Sequence, residues 1–186
     1  MLFRSGSVLV APFGGAERRF STAPFCVGVP RAGQGPVVLD FATSLVAEGK
    51  ALVASNGGKK LPADALIGPD GAMSGDPRLL YGEIDGTDRR DARKGPGAIR
   101  AFGDHKGSGL ALICELLGGV LTGNGAAGPL APEEPGKTRM FRNGMLSIYL
   151  APSHFGSQAE FDAAAQSYIE FVRSARPAEQ IGRAHV

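Results

Sequence analysis

An α+β fold, one mixed and largely antiparallel sheet with packed helices, is what this 186-residue sequence predicts. Three observations lead there. Short apolar runs that read as strands stand both before and after the helical stretches, without the regular strand–helix alternation of a doubly wound sheet. Apolar residues recur at helical spacing over 45–55, 110–121 and 160–173. Hydrophobic residues make up 43% of the chain, enough to fill the core of one domain.

Taken in order, residues 7–11 (SVLVA) read as a strand halted by Pro12 and the Gly14–Gly15 pair. Arg18 and Arg19 follow in an exposed turn. A second strand, 25–29 (FCVGV), ends at Pro30. A turn from Gly33 to Pro36 leads into a third, 37–41 (VVLDF), whose apolar run is broken by Asp40. A carboxylate inside such a strand is costly unless it is paired or hydrogen-bonded. Asp40 is therefore either an anchor for a nearby backbone turn or a polar group beside a ligand. Thr43 and Ser44 sit where a helix N-cap is wanted, and a helix over 45–55 follows. Residues 56–60 close it with glycines and two lysines. Residues 61–77 form a loop with a turn at Pro69, Asp70 and Gly71. The run 85–97 (DGTDRRDARKGPG) mixes both charge signs without periodicity, as a solvated loop does, and gives little case for phosphate binding by Arg89 and Arg90.

The stretch 101–125 (AFGDHKGSGLALICELLGGVLTGNG) organises the rest. Its first half is a loop with Gly103, Gly107 and Gly109 around His105 and Lys106. Its second half is apolar on nearly every side, Glu115 being its only charge, and predicts a buried helix ~20 Å long. A helix N-terminus presents N–H groups and partial positive charge. With Lys106 and glycines beside it, that end is a candidate phosphate seat, or else a glycine-rich turn with a solvated lysine. Neither named phosphate loop fits: Lys106 follows His105 and precedes Gly107, and the sixth position counted from Gly107 is Leu112. Residues 122–138 form a Gly- and Pro-rich connection. Residues 144–150 (GMLSIYL) alternate as a strand. The helix over 160–173 turns Phe161, Ala164, Tyr168, Phe171 and Val172 inward, and His154 precedes it as a surface residue.

The formal charge of +2, from 20 Lys+Arg against 18 Asp+Glu, gives no basic field for nucleic acid. No stretch has the apolar length of a membrane helix. Cys26 and Cys114 stand apart in apolar runs and read as two buried free thiols, which fits a reducing cytoplasm.

PFGG at 12–15, STAP at 21–24, LDFATS at 39–44 and DHKGSGLAL at 104–112 occur in the order found in the malate/L-lactate dehydrogenase type 2 family, which this sequence resembles. The run HKGSGLALICELLGGVLTG is most similar to the hydroxycarboxylate dehydrogenase B branch. The resemblance implies an α+β, non-Rossmann cofactor domain. It implies an NAD(P)-dependent oxidoreductase, using NAD or NADP, that interconverts 2-hydroxy acids and 2-oxo acids and works as a homodimer at full length. It also implies that Pro36, Val37, Val38, Leu39, Asp40, Phe41 and Ala42 line the cofactor, with His105 and Lys106 in its site. Three departures accompany it. Ala23 stands where the family has Asn, no Ser-His-Gly carries the family's proton-donating histidine, and no Pro-Gly-Glu follows Pro177. A phosphate- or nucleotide-binding module without chemistry of its own is the alternative reading.

Both ends read as foreign to the fold. Residues 181–186 (IGRAHV) back-translate to a sequence resembling a common sequencing adapter, and residues 1–5 (MLFRS) can be read from its reverse complement. The expected cofactor-binding domain is therefore 6–180, a piece of a longer gene.

Overall fold

The computed structural model describes residues 1–4, 8–83, 90–125 and 144–176. Among them, eight strands form two four-stranded sheets rather than the single sheet expected. The strands are β1 (Leu2–Arg4), β2 (Val10–Ala11), β3 (Pro24–Arg31), β4 (Gln34–Ala42), β5 (Leu66–Ile67), β6 (Met73–Ser74), β7 (Ala98–Arg100) and β8 (Met145–Ser147). The helices are α1 (Glu48–Ser55), α2 (Arg78–Tyr81), α3 (His105–Cys114) and α4 (Gln158–Arg173), and a π-helical turn, Glu115–Val120, extends α3. One sheet runs β4-β3-β1-β8, with β1 antiparallel to β8. The other runs β2-β7-β5-β6, with β2 parallel to β7 and β5 antiparallel to both neighbours. Of the second sheet only β2 lies in an expected strand, 7–11; β5, β6 and β7 escaped the sequence because they are two or three residues long, too short to display a period of two. The class is α+β as expected.

Residues Leu2–Phe25 and Asp40–Ser147 form one compact unit. Its main core is Val10, Leu66, Leu80 and Ile99, all fully buried, with Leu9, Val46, Ala51, Ala65, Tyr81 and Ala101 around them. Each large side chain of this set contributes ~1.5–3 kcal/mol by leaving water. Tyr81 closes the core over α1 by donating its hydroxyl to Glu48 Oε1 at 2.5 Å. Burial and that carboxylate push the phenol well above its ordinary range. The turn at Asp70 and Gly71 forms as expected: Gly71 N–H donates to Gly68 O at 3.0 Å, and Ala72 N–H to Asp70 Oδ1 at 3.0 Å.

Several expectations for this unit are corrected. Thr43 and Ser44 do not cap α1, whose N-cap is Ala47. Both are buried, and Ser44 bridges to Ala101. Arg18 is not in an exposed turn. Its half-buried guanidinium donates to the carbonyls of Ala92, Gly95 and Gly97 at 2.7, 2.8 and 2.6 Å, fastening the loop ahead of β7. Burial lowers its pKa, and Asp91 partly offsets that. Asp40 is exposed, so no buried carboxylate has to be anchored there.

The long apolar helix also differs from expectation. It begins at His105, and Gly107 and Gly109 lie inside it rather than in a loop. Its buried side is the small one: Gly107, Ala111, Cys114, Gly118 and Gly119, plus Glu115. Leu112, Ile113, Leu116, Val120 and Leu121 are exposed instead. Close approach explains the inversion. A Cβ on Gly107 would lie 2.3 Å from Phe102 O, and one on Gly144 would lie 1.7 Å from Gly118 O. Only a small-residue face lets these backbones meet.

Met1, Cys26–Leu39 and Ile148–Val186 form the second unit. Ser157 caps α4, its hydroxyl accepting from Glu160 N–H at 3.5 Å. The inward residues of α4 are Phe161, Ala165, Ile169 and Val172, whereas Ala164, Tyr168 and Phe171, expected inside, are exposed. The true repeat is i, i+4, i+8, i+11. Cys26 is half-buried, not buried as expected, and Cys114 is buried; neither forms a disulfide. The stretches 85–89, 126–138 and 181–186, and with them Arg89 and His185, lie outside the described residues. No helix among the described residues is long and apolar enough to cross a membrane.

Candidate functional site

The first turn of α3 is where the conspicuous sequence segments of the larger unit meet. Pro12 stops β2, and the chain makes a tight turn in which Gly15 N–H donates to Pro12 O at 2.9 Å. Gly14 has φ +79°, as the third residue of a type II turn requires. The turn leans on α3: Phe13 N–H donates to Ser108 Oγ at 3.0 Å, and the Phe13 ring meets the His105 ring edge-on at 6.0 Å. Ser21, Thr22 and Ala23 follow. Thr22 O accepts from Thr43 N–H at 2.9 Å and from Thr43 Oγ1 at 3.1 Å. Thr43 O accepts from Phe102 N–H at 3.0 Å, and Phe102 O accepts from Gly107 N–H at 3.0 Å. Phe41 stacks edge-on against Phe25 and Phe102, at 5.8 and 5.3 Å. The segments singled out at 12–15, 21–24 and 104–112, with 40–44 of the segment 39–44, thus converge within this unit.

Two residues in a left-handed conformation, Gly103 and Asp104, make the sharp entry into α3. Asp104 does not cap the helix with its side chain. Its carboxylate accepts from Arg100 Nη2 at 2.7 Å, while Arg100 Nη1 donates to Asp64 O at 2.8 Å and Asp64 Oδ2 at 3.2 Å. Arg100 therefore braces the helix start against Asp64, two residues ahead of β5, and pairs with the acid nearest that end. His105 and Lys106 project from the first turn, both exposed, and Lys106 forms no salt bridge among the described residues. Beside them lies a cleft of about 380 Å³ lined by Pro12, Phe13, Gly14, Arg100, Ala101 and Asp104, among others.

Of the residues expected at a cofactor, His105 and Lys106 stand in the first turn of α3, and Phe41 meets the ring of Phe102 ahead of it. Ala42 is half-buried next to Thr43, and Asp40 is exposed on β4. Pro36, Val37, Val38 and Leu39 belong to the other unit, where Pro36, Val38 and Leu39 are exposed and Val37 is half-buried. None of the expected residues lines the cleft itself. Sequence reasoning missed Arg100, Ser108 and the buried pair Ser21–Glu115. Only Glu115 left a signal, as the lone charge in an apolar helix.

The sequence profile of malate/L-lactate dehydrogenase matches residues 1–186. The chain belongs to the malate/L-lactate dehydrogenase family. Within that family it is 33% identical over 176 residues to the L-lactate dehydrogenase of Cupriavidus necator, a match covering 94% of this chain and 46% of the relative. It is 34% identical over 172 residues to hydroxycarboxylate dehydrogenase B of Escherichia coli K12, covering 91% and 43%. The crystal structure of a dehydrogenase from Sinorhizobium meliloti superposes with a TM-score of 0.76 at 31% identity, covering 100% of this chain and 49% of that one. The chain thus spans about half the length of the relatives it matches. Ala23 is fully buried with φ +35°, a conformation Asn tolerates better than Ala.

Proposed function

We propose that this chain is the nicotinamide-cofactor portion of an NAD(P)-dependent oxidoreductase interconverting 2-hydroxy acids and 2-oxo acids. The observation that carries the reading is the convergence of four family segments on the first turn of α3, with an unpaired lysine among the described residues at its positive end. The residues suit such a group. Lys106 offers a charge-assisted donor to a phosphate, the helix end adds favourable potential, and Arg100 occupies the adjacent carboxylate, Asp104. Pro36–Ala42 would supply a wall on the reading taken from the family, and the names of the relatives support a 2-hydroxy acid as substrate. The cofactor, NAD or NADP, supplies hydride transfer when bound. The protein's share is to seat the phosphates, orient the ring and supply a proton. A homodimer in the cytoplasm, with a cofactor domain that is not a Rossmann fold, completes the reading.

Lys106→Ala tests it. Losing one charge-assisted contact costs ~1.5–3 kcal/mol, so the dissociation constant should rise about ten- to a hundredfold. Titration of NADH and NADPH by nicotinamide fluorescence measures this, and unchanged affinity for both overturns the assignment. Binding without hydride transfer in a chain of the relatives' length would favour the phosphate-binding module instead.

The 186-residue chain by itself should bind cofactor and not turn over substrate. Reduction of a 2-oxo acid needs a proton, and a positioned acid contributes ~10²–10⁴-fold in rate. His105 stands beside Lys106 with its ring edge-on to Phe13, in the proposed cofactor seat rather than at the reacting carbonyl. His154 is exposed on a 3₁₀ turn of the other unit. Absorbance of NADH mixed with pyruvate or oxaloacetate reads the outcome. Steady oxidation above a His105→Ala control would show that the proton donor is in this chain.

A further inference from the structure

Glu115 is 2% exposed, an acid in the apolar second half of the long helix, and the cofactor reading gives it no role. It opens the π-helical turn in which Leu121 N–H reaches back to Leu116 O at 2.8 Å and Asn124 N–H to Gly119 O at 3.0 Å. Its Oε1 accepts from Ser21 N–H at 3.1 Å and from the Ser21 hydroxyl. Ser21 is fully buried, and its Oγ in turn accepts from Ala23 N–H at 3.0 Å. That contact fixes the backbone on both sides of Thr22, whose carbonyl receives both donors of Thr43. From Thr43 O the bonds continue through Phe102 to Gly107 N–H, one residue beyond Lys106. A buried carboxylate is costly unless its acceptor capacity is used, and the two bonds it accepts from Ser21 lead along this path.

We infer that Glu115 is a positioning residue: through Ser21, Thr22, Thr43 and Phe102 it sets the first turn of α3 and hence the placement of Lys106. The affinity arm of this inference rests on the cofactor reading above, and the exchange arm does not.

Amide hydrogen exchange and NADH titration on the whole chain test it, at a temperature where each variant keeps the wild-type far-ultraviolet circular dichroism. In Glu115→Ala, protection at the amides of Thr43, Phe102 and Gly107 should fall about tenfold, as loss of a charged acceptor implies. Protection at Ile99 and Arg100, which bond Leu9 O and Ala65 O, should hold. The NADH dissociation constant should rise about tenfold. Glu115→Gln keeps an acceptor oxygen for Ser21 and should restore both readouts. If Glu115→Ala does not fold, Ser21→Ala carries the same expectation. Unchanged protection at the three amides overturns the inference, and so does an equal loss at Ile99 and Arg100, which marks general destabilisation. Selective loss of protection in a chain that binds neither NADH nor NADPH upholds the positioning role and overturns the cofactor reading.

Discussion

Alanine at position 107 is expected to destabilise the larger unit by about 3 kcal/mol or more, the upper range for overpacking a rigid site. Its Cβ would stand 2.3 Å from Phe102 O and 2.8 Å from Thr43 O, both backbone atoms that no rotamer change can move, and 2.7 Å from the Phe102 ring. Relief requires shifting the helix start away from the 43–44 and 101–102 segments, which would break the Gly107 N–H to Phe102 O bond as well. Gly109, two residues on, is the control, because a Cβ there meets nothing within 4 Å. Gly109→Ala should stabilise by ~0.5–1 kcal/mol through helix propensity and reduced freedom of the unfolded chain. Chemical denaturation of both variants checks the pair. Equal effects of the same sign would show that the glycines of this helix are not distinguished by packing.

Arg18→Met is expected to cost about 3–5 kcal/mol, since three carbonyls lose a shared charged donor while the aliphatic stem is kept. The partial exposure of Arg18 keeps the figure below three full charged bonds. Thermal unfolding should show a fall of roughly 6–20 °C, taking 2–4 °C per kcal/mol for a chain of this size. Arg18→Lys should recover only part of it, because an ammonium is a point donor and cannot span three carbonyls in a fork. A change under about 1 kcal/mol in Arg18→Met would mean that water replaces the guanidinium at these carbonyls without penalty.

The contrast between these two sites shows what the residues reveal unaided. The strands around residues 25–29 and 37–41 were legible because β-branched and aromatic runs are bounded by Pro and Gly, and the observed strands only extend them to Pro24–Arg31 and Gln34–Ala42. The helix over 160–173 was legible from its period and gained one more half-turn at its capped start. The strands β5, β6 and β7 were not, since a pairing of two residues is too short to show a period, and β7 meets β5 only across about thirty residues. Gly107 read as loop because glycine lowers helix propensity, and the carbonyls that demand it belong to residues 43 and 102. Arg18 read as surface for a similar reason: the three carbonyls that hold it are more than seventy positions away. At the candidate site, His105 and Lys106 were visible by their residue types, whereas Arg100 and Ser108 act through geometry that no spacing rule encodes.

The inverted face of α3 has a consequence for the chain in solution. A helix that turns its glycines and alanine inward leaves Leu112, Ile113, Leu116, Val120 and Leu121 as a greasy ridge, and Leu121 keeps 66% of its surface in contact with solvent. Water-mediated attraction between such ridges strengthens on warming and in sulfate or phosphate, and weakens in the cold. Turbidity and loss of sample would then follow the buffer and the thermostat more closely than the strength of the fold, and a chain still fully folded could leave solution.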